Sequence, residues 1–129
     1  MIDKADPDPL SRVSALTGTH WVLSAMRTGD ETHSVPFGVR ATITLDGDTD
    51  VRAHVEAGCN TGSAQVTIDA DHLDFGPLAL TRKMCEPDAM AVESAVTEVL
   101  TGRVPYLWQG TVLVLGDDAR SLVFRSDLP

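Results

Sequence analysis

The sequence has few basic residues and few cysteines, and each shortage narrows what the chain can be. Ten Lys and Arg residues stand against nineteen Asp and Glu, for a formal net charge of −9 at pH 7. Such a charge repels phosphate backbones and anionic lipid headgroups, so we expect no nucleic-acid partner and no binding to membrane surfaces. The two cysteines are too few for a fold that disulfides alone hold together, although their number is even.

Long apolar runs are also missing. None approaches the roughly 18 residues that a membrane-spanning helix requires, so no direct insertion of the chain into a membrane is expected. Residues 1–9 are acidic and rich in proline, which does not fit a signal peptide. We predict that residues 1–15 form a flexible lead-in or linker, and that residues 16–129 form one domain with a single core.

What the chain has instead is repeated alternation of apolar and polar residues, the two-residue period of strands with one wet face. The alternation is clearest in Val39–Asp46 and Val51–Ala57. Short turn sequences separate such segments, so we predict about seven or eight antiparallel strands. Val112–Leu115 lacks polar residues, which predicts a central strand covered on both faces. Thr28–Gly38 is predicted to be a polar loop.

Two further segments complete the predicted architecture. In the first strand, Trp21, Leu23 and Ala25 are expected to share one face. Pro87 suits the first position of a helix, and apolar residues recur from there to Leu100 at three- and four-residue spacing. We therefore predict an α+β fold in which a curved antiparallel sheet, a half-barrel, wraps around one main helix.

Six short stretches occur in an order and spacing that resemble the META domain family, whose members are also called HslJ-like. They are Gly18–Leu23, Ala57–Gly62, Leu73–Ala79, Thr81–Cys85, Glu93 and Leu113–Leu115. The resemblance extends from about Leu16 to Phe124. The chain departs from the usual family pattern at Lys83–Met84, where methionine and alanine are common, and at Thr61, where arginine is frequent.

The resemblance implies a bacterial protein, often linked to the cell envelope or to lipoproteins, with a role in heat-shock and other stress responses or in antibiotic tolerance. It brings no catalytic activity, catalytic residue or cofactor, so none is expected. We interpret the chain as a non-enzymatic, monomeric module that binds or supports an envelope or protein partner. We expect an extracytoplasmic location if the chain is part of a longer protein, and a cytoplasmic one otherwise.

Cys59 and Cys85 are the sharpest pair of candidate residues. A disulfide between them would tie a turn to the start of the helix and stabilise the fold by about 3–4 kcal/mol, given an oxidising compartment. Two buried free thiols are one alternative. A reactive cysteine is another, because a helix N-terminus lowers the pKa of a thiol such as that of Cys85, although Glu86 and Asp88 oppose this shift.

The other candidate contact residues are Asn60, Thr81, Arg82 and Glu93. We expect Asn60 to adopt a left-handed turn and Arg82 to pair with Glu93 across the junction of loop and helix. The predicted contact surfaces are the turns around Asn60 and Arg82 and the loop Thr28–Gly38.

No histidine or cysteine spacing indicates a metal site. Two other functions stay open at this point. One is a small hydrolase or redox protein that uses Cys59 or Cys85. The other is a carrier of an apolar ligand, which requires an internal cavity of about 300 Å³ or more.

Overall fold

The structure, a computed structural model, describes residues 16–47 and 50–126. The predicted lead-in, residues 1–15, lies outside this part of the chain. The strands are β1 (His20–Thr28), β2 (Glu31–Ser34), β3 (Ala41–Asp46), β4 (Val51–Ala57), β5 (Thr61–Ile68), β6 (His72–Phe75), β7 (Ala79–Leu80), β8 (Gly102–Gln109), β9 (Val112–Gly116) and β10 (Arg120–Ser126), and the main helix, α1, is Pro87–Val99.

Eight of these strands form a closed antiparallel barrel. Their order is β1-β3-β4-β5-β6-β8-β9-β10, and β10 pairs again with β1. The seam runs from Trp21 paired with Ser126 to Thr28 paired with Arg120. The predicted α+β class is therefore confirmed, but the sheet is a full barrel rather than a half-barrel. Closure removes the two free edges that a half-barrel would expose.

Helix α1 packs against the barrel, where it contacts β4 and β10. Its buried residues are Val92, Val96 and Val99, as the apolar spacing predicts, and each buried valine stabilises the fold by about 1.5–3 kcal/mol. Near the C-terminal end of the helix, Glu98 pairs with Arg120 at the start of β10 at 3.2 Å. The helix ends at Val99, with Leu100 as its C-cap. Gly102, the expected left-handed stop, has a positive φ of 61° but is already the first residue of β8. The main helix therefore contributes its buried valines to the core of the barrel.

A bulge in β1 changes which residues face the core. Trp21 and Leu23 are buried as predicted, with exposures of 1% and 5%. The register then shifts between Leu23 and Ala25, because Ser24 is an extra residue in the strand. The shift turns Ala25 outward and places Met26 against the core instead. The prediction that Ala25 shares the face of Trp21 is wrong for this reason.

Two other expectations are wrong, one because the wall of a barrel has only one buried face and the other because a strand forms where a loop is expected. Strand β9 is central, since it pairs with both β8 and β10, but only Leu113 and Leu115 are buried while Val112 and Val114 are half-buried on the outside. The predicted loop Thr28–Gly38 begins instead as a hairpin. Its strand β2 pairs with the end of β1 and is exposed along its whole length.

Candidate functional site

Most of the candidate residues meet beside the N-terminus of helix α1. Cys59 and Cys85 form a disulfide with an S–S distance of 2.02 Å and a Cα–Cα distance of 5.9 Å. No free cysteine occurs in the described part of the chain, and the chain has only these two. The bridge joins the turn after β4 to the segment that precedes the helix. It leaves no thiol for a reactive cysteine in this form of the protein.

Asn60 lies next to the bridge and is 3% exposed. Its backbone N–H donates to Oε1 of Glu93 at 2.7 Å, and its carbonyl oxygen accepts from the N–H of Ala57 at 2.8 Å. A carboxylate of the helix thus holds the backbone of a turn that follows β4. The two partners are 33 residues apart in the sequence, so no local pattern indicates the contact.

The side chain of Asn60 uses its complete hydrogen-bonding capacity. Its Nδ2 donates to the carbonyl oxygen of Lys83 at 3.0 Å and to Oε2 of Glu93 at 3.1 Å. Its Oδ1 accepts from the hydroxyl of Thr81 at 2.8 Å and from the N–H of Lys83 at 2.6 Å. We refer to Asn60, Thr81, Lys83 and Glu93 together with the Cys59–Cys85 bridge as the Asn60 clasp.

One sulfur contact within the clasp is not a hydrogen bond. Cys59 Sγ lies 3.5 Å from the carbonyl oxygen of Lys83, but a disulfide sulfur carries no proton to donate. That carbonyl oxygen accepts instead from Nδ2 of Asn60. The amide of Asn60, and not a thiol, therefore fixes the path of the segment around Lys83.

Two sequence-based expectations about these residues are wrong. Asn60 is not left-handed, since no residue other than glycine has a positive φ in the described part of the chain. Gly58, with φ of 104°, supplies that conformation two residues earlier. The expected pair of Arg82 with Glu93 does not form either, and the two carboxylate oxygens of Glu93 accept from Asn60 instead. Arg82 is exposed.

An open groove of about 440 Å³ runs beside the clasp. It combines apolar side chains with the one adjacent basic pair of the sequence, and its lining residues are Asn60, Leu78, Leu80, Thr81, Arg82, Lys83, Met84, Met90 and Glu93. Met84 is 85% exposed. We refer to this feature as the clasp groove. Sequence reasoning singled out Arg82 but not Met84 or Met90, because a lone methionine carries no pattern that distinguishes core from surface.

His72 is a second polar centre that the sequence did not reveal. It is 8% exposed, and its two ring nitrogens lie 2.9 Å from Oδ2 of Asp69 and 2.9 Å from Oδ1 of Asp71. The hydrogen bond from His72 lowers the pKa of the Asp71 carboxyl from its usual value of 3.8. The short spacing in Asp69-Ala70-Asp71-His72 is the sequence feature that could have indicated these contacts. The arrangement ties a turn to β6 and stabilises structure there.

No group of three or more His, Cys, Asp or Glu side chains among the described residues is placed to hold a metal ion. Within the same residues, no helix is long and apolar enough to cross a membrane.

Comparisons with known proteins identify a family and a shared fold. A family model described as the META domain matches residues 14–127. Among proteins with curated descriptions, none matches the chain. An NMR structure of a protein from Burkholderia xenovorans is 28% identical, with a TM-score of 0.73, and the match covers 100% of this chain and 97% of that one. A second NMR structure, 18% identical with a TM-score of 0.66 and coverage of 88% and 92%, shares the fold.

Proposed function

The chain belongs to the META domain family, and from that membership we propose that it is a non-enzymatic binding module of the bacterial cell envelope that supports stress tolerance. The observation that carries the proposal is the saturation of Asn60. Each polar atom of this buried residue already has a partner within the protein. A catalytic amide needs a donor or acceptor left over for substrate, so the clasp is suited to holding shape.

The clasp groove is the surface that lies beside the Asn60 clasp. Its volume of about 440 Å³ is within the usual range of ligand sites, and it joins exposed Met84 to the cations Arg82 and Lys83. Methionine suits a binding surface because its flexible, polarisable side chain adapts to different apolar partners. We therefore propose that the groove receives an apolar segment of a protein partner in the envelope.

The disulfide supports the proposed compartment, since such bonds persist mainly in oxidising environments outside the cytoplasm. The hairpin β1–β2 is a further proposed contact surface, because β2 is an exposed strand and Phe37, which follows it, is fully exposed.

Carriage of an apolar ligand inside the barrel is not favoured. Side chains such as Trp21, Leu16 and Phe124 occupy the interior, each with an exposure of 1% or less.

A complementation assay tests the proposal. Bacteria that lack the gene are supplied with the wild-type chain, with the double variant Arg82→Glu/Met84→Glu, or with Gln65→Glu, a control at an exposed position of β5 that is paired with Arg52. We expect the wild type and the control to restore survival under heat or antibiotic stress, and the double variant to fail although its thermal midpoint is unchanged. Full restoration by the double variant would exclude the clasp groove as the contact surface.

The state of the cysteines in the cell tests the compartment and the cysteine-dependent alternative together. We expect protein recovered without reductant to be lighter than the reduced chain by the mass of two hydrogen atoms. Rapid alkylation of a single cysteine in intact cells would contradict the proposal and favour a small hydrolase or redox protein.

A further inference from the structure

The part of the barrel wall formed by β8, β9, β10 and β1 differs in charge from the rest of the molecule. These four strands are neighbours in the closed sheet, and they contain no Asp or Glu in a chain that has 19 acidic residues. They contain four of its 10 basic residues, namely Arg27, Arg103, Arg120 and Arg125. The side chains of these four strands therefore carry positive charge only, although acidic residues occur close by along the chain, among them Asp30, Asp117 and Asp118 in the adjoining turns.

The outward side chains of this wall align into an apolar row. Strand register places Leu107 beside Val114, Val114 beside Val123, and Val123 beside Ala25. Leu107 is 56% exposed, and the other three are half-buried. We refer to these four residues as the outer strip. The bulge at Ser24 is what brings Ala25 to the outside and completes the row.

Two arginines border the outer strip on opposite sides. Arg125 lies two residues beyond Val123 on β10, where it is paired with Val22 and Val112. Arg27 lies two residues beyond Ala25 on β1 and is paired with Ser121. Both arginines are exposed, and neither forms an ion pair with another residue of the described part of the chain. Arg103 and Arg120 differ, because Asp74 and Glu98 lie beside them.

We propose that the outer strip is an interaction surface for an acidic amphipathic helix of a partner protein. Neighbouring strands are about 4.8 Å apart, so the strip is about 14 Å long, a length that about ten helical residues span. The apolar stripe of such a helix covers the strip across the strands. Carboxylates on its two flanks then meet Arg27 and Arg125, whose guanidinium groups match carboxylates in bidentate geometry.

Charge distinguishes this partner from two other occupants. An anionic membrane attracts two arginines only weakly, and the net charge of −9 opposes its approach. A second copy of the chain, docked strip to strip, brings arginines of like charge together at the rim of the contact, which is unfavourable. The clasp groove borders β5 and β7, whereas the strip belongs to the far side of the barrel, so the two surfaces are separate.

The test selects peptides that bind the full chain and then measures their affinity for variants of the outer strip. A random 16-residue peptide library is selected on the wild type, and the enriched peptides are measured by fluorescence anisotropy against Leu107→Glu, Arg125→Glu and the control Arg52→Glu, an exposed arginine of β4. We expect the enriched peptides to carry apolar residues at three- and four-residue spacing, with carboxylates on both sides of the apolar stripe. Their affinity should fall at least tenfold in either strip variant and by less than twofold in the control.

Each other result overturns the proposal. It fails if the enriched peptides lack carboxylates, or if they bind both strip variants as tightly as the wild type. It also fails if amide chemical-shift changes map the peptides to the clasp groove, a result that would leave the proposed function standing. Sedimentation with vesicles of phosphatidylglycerol, or self-association that Leu107→Glu abolishes, would assign the strip to a membrane or to a second copy instead. Arg125→Glu keeps the test valid if Leu107→Glu does not fold.

Discussion

At the scale of single residues, Asn60 organises the candidate site because a primary amide offers two donors and two acceptors on one short side chain. It bonds at once to the segment around Lys83 and to helix α1 through Glu93. An aspartate has nearly the same shape but cannot donate from either oxygen. The clasp therefore depends on the amide itself and not on polarity or size.

The substitution Asn60→Asp is expected to lower the free energy of unfolding by about 3 kcal/mol, because it places a second negative charge against the half-buried Glu93 carboxylate and leaves the Lys83 carbonyl oxygen without a donor. Urea unfolding monitored by circular dichroism measures the loss. Thr67→Ala, at an exposed position of the same strand region, should change stability by less than about 0.5 kcal/mol. Similar losses for the two variants would show that the clasp is not a stabilising element.

At the same scale, the hydrogen bond between His72 and Asp71 predicts how the stability of the fold depends on pH. This hydrogen bond lowers the pKa of Asp71 from 3.8, so the folded state favours the ionised carboxyl more than the unfolded state does. The stabilisation from this pair is therefore present above pH 3.8 and is lost as the pH falls through the lower folded-state pKa.

The substitution Asp71→Asn should consequently lower the thermal midpoint at pH 7, and the difference from the wild type should vanish at a pH below the folded-state pKa of Asp71. Thermal scans by circular dichroism across the acidic range measure both. Asp118→Asn, at an exposed turn residue, is the control and should follow the wild type throughout. A gap between Asp71→Asn and the wild type that persists at low pH would contradict the assignment.

At the scale of elements, the helix and most strands were predictable because their periods are local properties of the sequence. Pro87 and the valine spacing place the start and the buried face of helix α1 correctly, whereas the helix ends at Val99, before the expected stop at Gly102. The bulge at Ser24 was not predictable, since the residues around it keep an ordinary strand composition. The Cys59–Cys85 bridge was expected as one of three possibilities. Asn60, Thr81 and Glu93 are predicted only as candidate contact residues, and Lys83 is not among them, because their contacts join segments more than 20 residues apart.

The docking of helix α1 on the barrel depends on Gly58. Its φ of 104° disfavours other residues, and an added Cβ would lie 2.9 Å from the carbonyl oxygen of Ala89 and 3.2 Å from Val92. We expect Gly58→Ala to destabilise the fold by about 3 kcal/mol, through backbone strain and displacement of the helix. Urea unfolding of the oxidised protein is the measurement.

Gly110→Ala is the matched control for this variant. Gly110 has a positive φ of 60°, and an added Cβ there meets no atom within 4 Å. The free energy of unfolding of Gly110→Ala should therefore fall only by the cost of the backbone conformation, about 1 kcal/mol. Equal losses for Gly58→Ala and Gly110→Ala would mean that helix packing adds nothing at Gly58.

At the scale of the whole molecule, closure of the barrel is the feature that the sequence could not supply. Alternation fixes which face of a strand is buried, but it does not say whether the first and last strands pair. That decision depends on the register of β1 against β10, whose residues are about 100 positions apart, and on the length of β1, which pairs with β10 on one edge and with β3 and β2 on the other. The half-barrel and the closed barrel have the same local patterns.

Amide hydrogen exchange separates these two architectures in the intact protein. In a closed barrel β10 is paired on both edges, so successive amides from Leu122 to Phe124 are all bonded and should exchange only through global unfolding, as slowly as those of β4. In a half-barrel β10 would be an edge strand, and every second amide there would face water and exchange rapidly. Strand β2, which pairs only with β1, provides the internal reference for an edge. We expect slow exchange throughout β10 and fast exchange in β2, because the seam with β1 makes the last strand an interior one.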